Sequence, residues 1–200
     1  MGRQVVPLTL DNLSDLPGTC RRCVYWELAP AADTGADAAL DKEAWVSDTL
    51  LEWGTCGQLA YSDGRPVGYV LYAPPGYVPR ATGFPTSPVG ADAVLLMTAY
   101  VTPQFRNGGI GRVLAQTTVR EMARRGYRAL EAFGRTGDGD GTGCVLPAAY
   151  LTGVGFTVIR RHPTLPRLRL DVRGAVTWRA EMEGAIERLL GGITSPAATR

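Results

Sequence analysis

One lysine, Lys42, and one histidine, His162, are all that 200 residues contain of either type. Each scarcity excludes something. A lone histidine cannot supply an H-x-x-x-H metal pair, and His162, beside Pro163 in a loop, reads as structural. A phosphate loop of the G-x-x-x-x-G-K-[ST] type is excluded, because no lysine follows the chain's glycine cluster. Net charge is nearly absent too. A formal +2 offers no field for nucleic acid or an anionic membrane, and neither partner is expected. No stretch reaches the roughly 18 consecutive apolar residues of a membrane span. The first residues, MGRQVVPLTLDN, lack the apolar core of a signal peptide, so the expected location is cytoplasmic. Cysteines number four: Cys20, Cys23, Cys56 and Cys144. Cys20 and Cys23 have the spacing of half a zinc site, but there is no second C-x-x-C. A site would need Cys56, Cys144 or His162 to converge on them, so reduced thiols and no metal are expected.

What is present suits one α/β domain. A hydrophobic content of 45% fills a core at this length, and no internal repeat is visible. The domain is expected over residues 1–192, with a disordered tail at 193–200. Val5–Leu10 reads as a strand, and Asp11 or Asn12 as a cap. Cys20–Leu28 is an apolar cluster that packs on the sheet. Asp41–Gly54 reads as a helix with Ala44, Trp45, Leu50 and Leu51 near one face. Gln58–Ser62 and Pro66–Tyr72 flank Asp63-Gly64, a strong hairpin signal. Pro74–Gly90 is a long loop with five prolines. Val94–Val101 is a strand, and Arg128–Phe133 is another. Pro147–Val154 reads as a short helix, Gly155-Phe156 starts a further strand, and Leu165–Val172 reads as a late one. Val176–Leu190 is an amphipathic helix able to cover a sheet face or meet a second subunit, which leaves a homodimer open. Gly137–Gly143, GDGDGTG, is not a calcium loop, because an EF-hand started at Asp138 would need an acid where Ala149 stands.

The most informative stretch is Thr98–Leu114, TAYVTPQFRNGGIGRVL. A β-prone run breaks at Thr102-Pro103, then a glycine-rich turn opens a helix. The first amides of a helix have no partner inside it, and the helix dipole makes that end positive. Arg106 and Arg112 flank the turn, and no carboxylate lies between Pro103 and Arg120. Cations at a helix N-terminus oppose the dipole by roughly 0.3–1 kcal/mol each. That pattern makes sense if a polyanion docks there. A dinucleotide fingerprint fails, because G-x-G-x-x-G started at Gly109 would need glycine at Leu114. After the turn, Ile110, Leu114, Thr118 and Met122, with Val119, form a core-facing stripe.

Arg106-Asn107-Gly108-Gly109-Ile110-Gly111 fits [QR]-x-x-G-x-[GA] after a strand ending in Val101-Thr102-Pro103. It resembles the acyl-CoA signature of the GNAT superfamily of N-acyltransferases. The resemblance extends from about Gly57 to Arg160 and includes the later helix followed by Gly155-Phe156. It implies a mixed, mostly antiparallel sheet of about six or seven strands, flanked by helices, with splayed central strands. It also implies that the amides of Asn107, Gly108, Gly109, Ile110, Gly111 and Arg112, with Arg106, hold the pyrophosphate of acetyl-CoA. The backbone of Ala99, Tyr100 and Val101 would pair with the pantetheine arm and supply an oxyanion donor.

For catalysis the family pattern fits less well. Many relatives carry tyrosine four residues before the Gly-Phe, where Leu151 stands here. Tyr150, one residue earlier and about 100° round the helix, is the candidate acid. Relatives that use a carboxylate near positions 95–99 find none in this chain, and Asp92 comes too early. Glu131 is the candidate base, with an exposed structural acid as the plainer reading. Glu27, Glu43, Asp48 and Glu52 are candidates for the acceptor side. The function implied is acetyl transfer from acetyl-CoA to an amine of a small molecule or protein. The alternative is a CoA-binding sensor or scaffold without turnover.

Overall fold

The computed structural model describes residues 2–30, 37–137 and 143–175. The expected C-terminal helix, the tail and much of the GDGDGTG loop lie outside the described residues. The described elements are β1 (Arg3–Pro7), α1 (Ala38–Trp53), β2 (Gly57–Ser62), β3 (Arg65–Ala73), β4 (Ala93–Val101), α2 (Ile110–Arg124), β5 (Ala129–Arg135), β6 (Leu146–Pro147), α3 (Ala148–Gly153), β7 (Thr157–Arg160) and β8 (Arg167–Asp171). They form one mixed sheet in the order β1-β2-β3-β4-β5-β8-β7, with β6 on β5. All pairings are antiparallel except β4–β5 and β5–β6.

Side chains alternate across the sheet and divide the core in two. On one face Val94, Leu96, Leu130, Ala132, Leu168 and Leu170 meet the buried stripe of α2, namely Ile110, Leu114, Val119 and Met122. On the other, Leu95, Met97 and Phe133 pack against Trp26, Phe84 and Val46. Trp26 and Phe84 stack at 5.1 Å, and Phe84 and Phe133 at 4.1 Å, so the N-terminal apolar cluster and the proline loop are both held by aromatic contact. Short 3₁₀ turns at Pro75–Tyr77 and Pro79–Gly83 give that loop its shape.

Helix α1 differs from its sequence reading. It begins earlier, at Ala38, where the Asp37 side chain accepts from the Ala39 N–H at 2.9 Å. Its buried residues are Lys42, Val46 and Thr49, whereas Leu51 is 85% exposed. The inward stripe follows i, i+4, i+7 spacing, but a charge begins it. Lys42 is buried because Glu27, also buried, pairs with its ammonium. Hydrophobic periodicity does not detect a stripe built on an ion pair.

Strand β4 carries the feature that positions the site. Leu71 pairs with Thr98 and the next residue, Tyr72, with Leu96, so Met97 is an extra residue in β4. Such a bulge bends the strand. Pairing of β4 with β5 covers only Ala93–Leu95 against Ala129–Glu131. Beyond it β5 takes β6 at Gly134–Arg135, while β4 continues to Val101 on β3 alone. The two central strands part, and a backbone edge of β4 from Leu96 to Val101 faces the opening.

Candidate functional site

At the end of that open edge lies the glycine turn. Pro103–Phe105 forms a 3₁₀ turn, and Asn107 and Gly109 follow with φ of 62° and 82°. Gly109 is the N-cap of α2. A Cβ there meets nothing within 4 Å, so backbone conformation, not crowding, selects glycine. The first regular bond of α2 runs from the Val113 N–H to the Gly109 carbonyl at 3.0 Å. Among the described residues, the amides from Asn107 to Arg112 meet no acceptor. Of these residues Asn107, Gly108, Gly109 and Arg112 are exposed, Gly111 is half-buried and Ile110 is buried.

Among the described residues, three arginines stand at or near the turn. Arg106 donates through Nε to the Val101 carbonyl at 3.1 Å and lies over the Tyr100 ring at 5.9 Å. That contact ties the turn to the end of β4. Arg112 is exposed on the first turn of α2, where no acid stands. The third is Arg3 of β1, whose guanidinium donates to the Gly108 carbonyl at 2.9 Å. Sequence reasoning missed it, because Arg3 reaches the turn only through the pairing of β1 with β2. The one available signal was a strand pairing that places the chain's first arginine at the end of the sheet where the hairpin turns.

Tyr150 and Leu151 share α3 but not a direction. Leu151 is fully buried under the sheet. Tyr150 is half-buried against α2, and its hydroxyl donates to the Gly111 carbonyl at 3.0 Å. A Cβ on Gly111 would lie 3.2 Å from the Tyr150 ring, so the small residue admits the tyrosine to the mouth of the helix. Desolvation pushes the Tyr150 phenol up to about 12.

Glu131 stands at the last β4–β5 pair, opposite Leu95. It is buried, and both of its oxygens are engaged. Oε1 accepts from Arg169 at 2.8 Å, and Oε2 from Arg167 at 3.0 Å and the Gly90 N–H at 3.1 Å. Arg169 also forks onto Asp92 at 2.6 and 3.0 Å. Its hydrogen bond, offset in part by desolvation, holds the Asp92 carboxyl below the usual carboxylate range. A carboxylate clamped in this way anchors the end of the proline loop where the central strands part. Both Glu131 oxygens are thus engaged, and the residue is buried, not exposed.

The remaining acids do not gather. Glu27 is buried with Lys42, and burial, partly offset by the ammonium, raises its carboxyl. Glu43 and Asp48 lie exposed along α1, and Glu52 is exposed near its end. His162 uses Nδ1 to accept from the Leu165 N–H at 3.1 Å and the Thr164 N–H at 3.3 Å, a local loop cap. Among the described residues, no group of three or more side chains is arranged to hold a metal ion, and no helix is long and apolar enough to cross a membrane.

No curated protein matches the chain by sequence. Solved structures share its fold. A ribosomal-protein-alanine N-acetyltransferase from Brucella melitensis is 21% identical, with a TM-score of 0.56 over 84% of this chain and 99% of its own. The yncA protein from Salmonella typhimurium, solved with its cofactor acetyl-CoA, is 17% identical, with a TM-score of 0.57 over 86% of this chain and 95% of its own. The paia N-acetyltransferase from Thermoplasma acidophilum, in complex with coenzyme A, is 14% identical, with a TM-score of 0.52 over 86% of this chain and 99% of its own. The family model for the GNAT acetyltransferases matches residues 21–139, which include the bulged strand, the glycine turn and all of α2, and the chain belongs to that family.

Proposed function

We propose that the protein is an acetyl-CoA-dependent N-acetyltransferase acting on a primary amine. The observation that carries this reading is the row of open amides at Asn107–Arg112, set beside the unpaired edge of β4 and ringed by Arg3, Arg106 and Arg112. A diphosphate seated there meets backbone donors, a helix dipole and three cations. The pantetheine arm then lies along Ala99–Val101 as an added strand. Its thioester reaches the gap between β4 and β5, where a strand N–H serves as oxyanion donor.

Direct attack by the amine needs the two substrates side by side, and positioning alone supplies roughly 7–11 kcal/mol. With Glu131 clamped, the amine proton goes to water. Tyr150 keeps its proton at neutral pH. A phenol near 12 is a weaker acid than an alkyl thiol of about 8.5, so full transfer to the leaving thiolate runs uphill. Tyr150 acts as a hydrogen-bond donor to the departing sulfur after releasing the Gly111 carbonyl. The engaged hydroxyl and clamped carboxylate also support a second reading, a CoA-binding sensor without turnover.

Calorimetry with acetyl-CoA tests the reading. The wild-type chain binds in the micromolar range, and Gly109→Glu, which sets a strained side chain and a like charge against the diphosphate, abolishes binding. Absence of wild-type binding at tens of micromolar removes both readings. Thiol release across a panel of amines separates enzyme from sensor.

A further inference from the structure

Two cysteines distant in sequence meet. Cys23 Sγ lies 3.4 Å from Cys144 Sγ, across 121 positions. Cys20 stands one 3₁₀ turn before Cys23, whose N–H donates to the Cys20 carbonyl at 3.3 Å. Cys20 and Cys23 are half-buried and Cys144 is buried. A small solute therefore reaches the first two more easily than the third.

The surroundings favour a thiolate on Cys23. Hydrogen bonds from the Cys144 and Cys20 thiols, an amide from Tyr25 and the nearby Lys42 ammonium lower its pKa far below that of a free thiol. Lys42 also donates to the Cys23 carbonyl at 3.2 Å, which fixes the segment. The same contacts, with burial, raise the Cys20 and Cys144 thiols. One nucleophilic sulfur is thus held against a protonated partner. The Trp26 indole donates to the Cys144 carbonyl at 2.9 Å, so the loop bearing Cys23 is already docked on the segment that leads into β6.

We propose that Cys23 and Cys144 form a reversible intramolecular disulfide by exchange with a low-molecular-weight disulfide. The Cys23 thiolate attacks one sulfur of that disulfide, forms a mixed disulfide and releases one small thiolate. Cys144 then gives its proton to solvent and attacks the Cys23 sulfur, releasing the second small thiolate. Two protein thiols are oxidised and one small disulfide is reduced to two thiols. The new bond staples the N-terminal loop to the strand segment beside the β4–β5 opening. This site stands independently of the acetyl-transfer reading, because none of its steps involves the glycine turn.

The test incubates the full chain with oxidised glutathione at neutral pH, alkylates the free thiols and maps the peptides. The expected result is a fall from four alkylatable thiols to two, with a Cys23–Cys144 linked peptide that dithiothreitol reverses. Cys20→Ser, at a half-exposed position, keeps the link. Cys144→Ser loses it and leaves glutathione on Cys23. Four free thiols after oxidation, a Cys20–Cys23 link in the wild-type chain, or loss of the link in Cys20→Ser each overturn the proposal.

Discussion

At the scale of single residues, hydrogen-bond engagement decides which candidate groups are free to act. Glu131 is a carboxylate in a good place with no oxygen to spare, whereas Tyr150 is held by one neutral bond of 3.0 Å, worth about 1 kcal/mol. Breaking the latter during turnover is affordable. Tyr150→Phe is therefore expected to lower kcat about tenfold with acetyl-CoA affinity unchanged, and to leave the pH profile below pH 10 unaltered. A hundredfold loss, or a lost alkaline limb, would make Tyr150 a true proton donor. Arg3→Ala is expected to weaken acetyl-CoA binding about fivefold, more at low ionic strength, since it removes one exposed cation and loosens the Gly108 carbonyl. Calorimetry at two salt concentrations measures both effects. Gly109 was legible from its neighbours alone, because a chain entering a helix at positive φ asks for glycine. Arg3 was not, since nothing near it in sequence points to the turn.

Among the elements, legibility tracked how local the cause was. The hairpin at Asp63-Gly64, the stripe of α2 and the break at Thr102-Pro103 are each written in a few adjacent residues, and each stands within a residue or two of its expected place. The seat of α1 is not local. It depends on Glu27, fifteen positions before Lys42, and without that partner Lys42 reads as a solvated charge. The parting of β4 and β5 was implied by family resemblance alone. Its cause, the extra residue at Met97, shows no motif in a uniformly apolar run. The buried pair makes a sharp prediction. Lys42→Ala leaves an uncompensated carboxylate in the core and is expected to destabilise the fold by about 3–5 kcal/mol in urea unfolding. The double variant Glu27→Leu with Lys42→Met removes both charges and is expected to recover most of that loss. If the single and double variants are equally unstable, packing of the lysine stem, and not charge, holds α1 in place.

Across the whole molecule, a single sheet joins every part of the site. β1 brings Arg3, β4 brings the open edge, α2 brings the amides, and the β5–β8 ion cluster closes the opposite end of the gap. Ligand binding at such a junction should stabilise the fold as a unit, because unfolding any strand dismantles the seat. A ligand at a hundred times its Kd contributes about 2.7 kcal/mol to the folded state. For a chain of this length each kcal/mol moves Tm by about 2–4 °C, so saturating acetyl-CoA is expected to raise Tm by about 5–10 °C. Pantetheine lacks the diphosphate and should shift it far less at equal concentration. Gly109→Glu should show no shift with acetyl-CoA while melting within a few degrees of the wild-type chain. An equal shift from pantetheine would place the binding energy along β4, not at the mouth of α2, and the anion seat would lose its part in recognition.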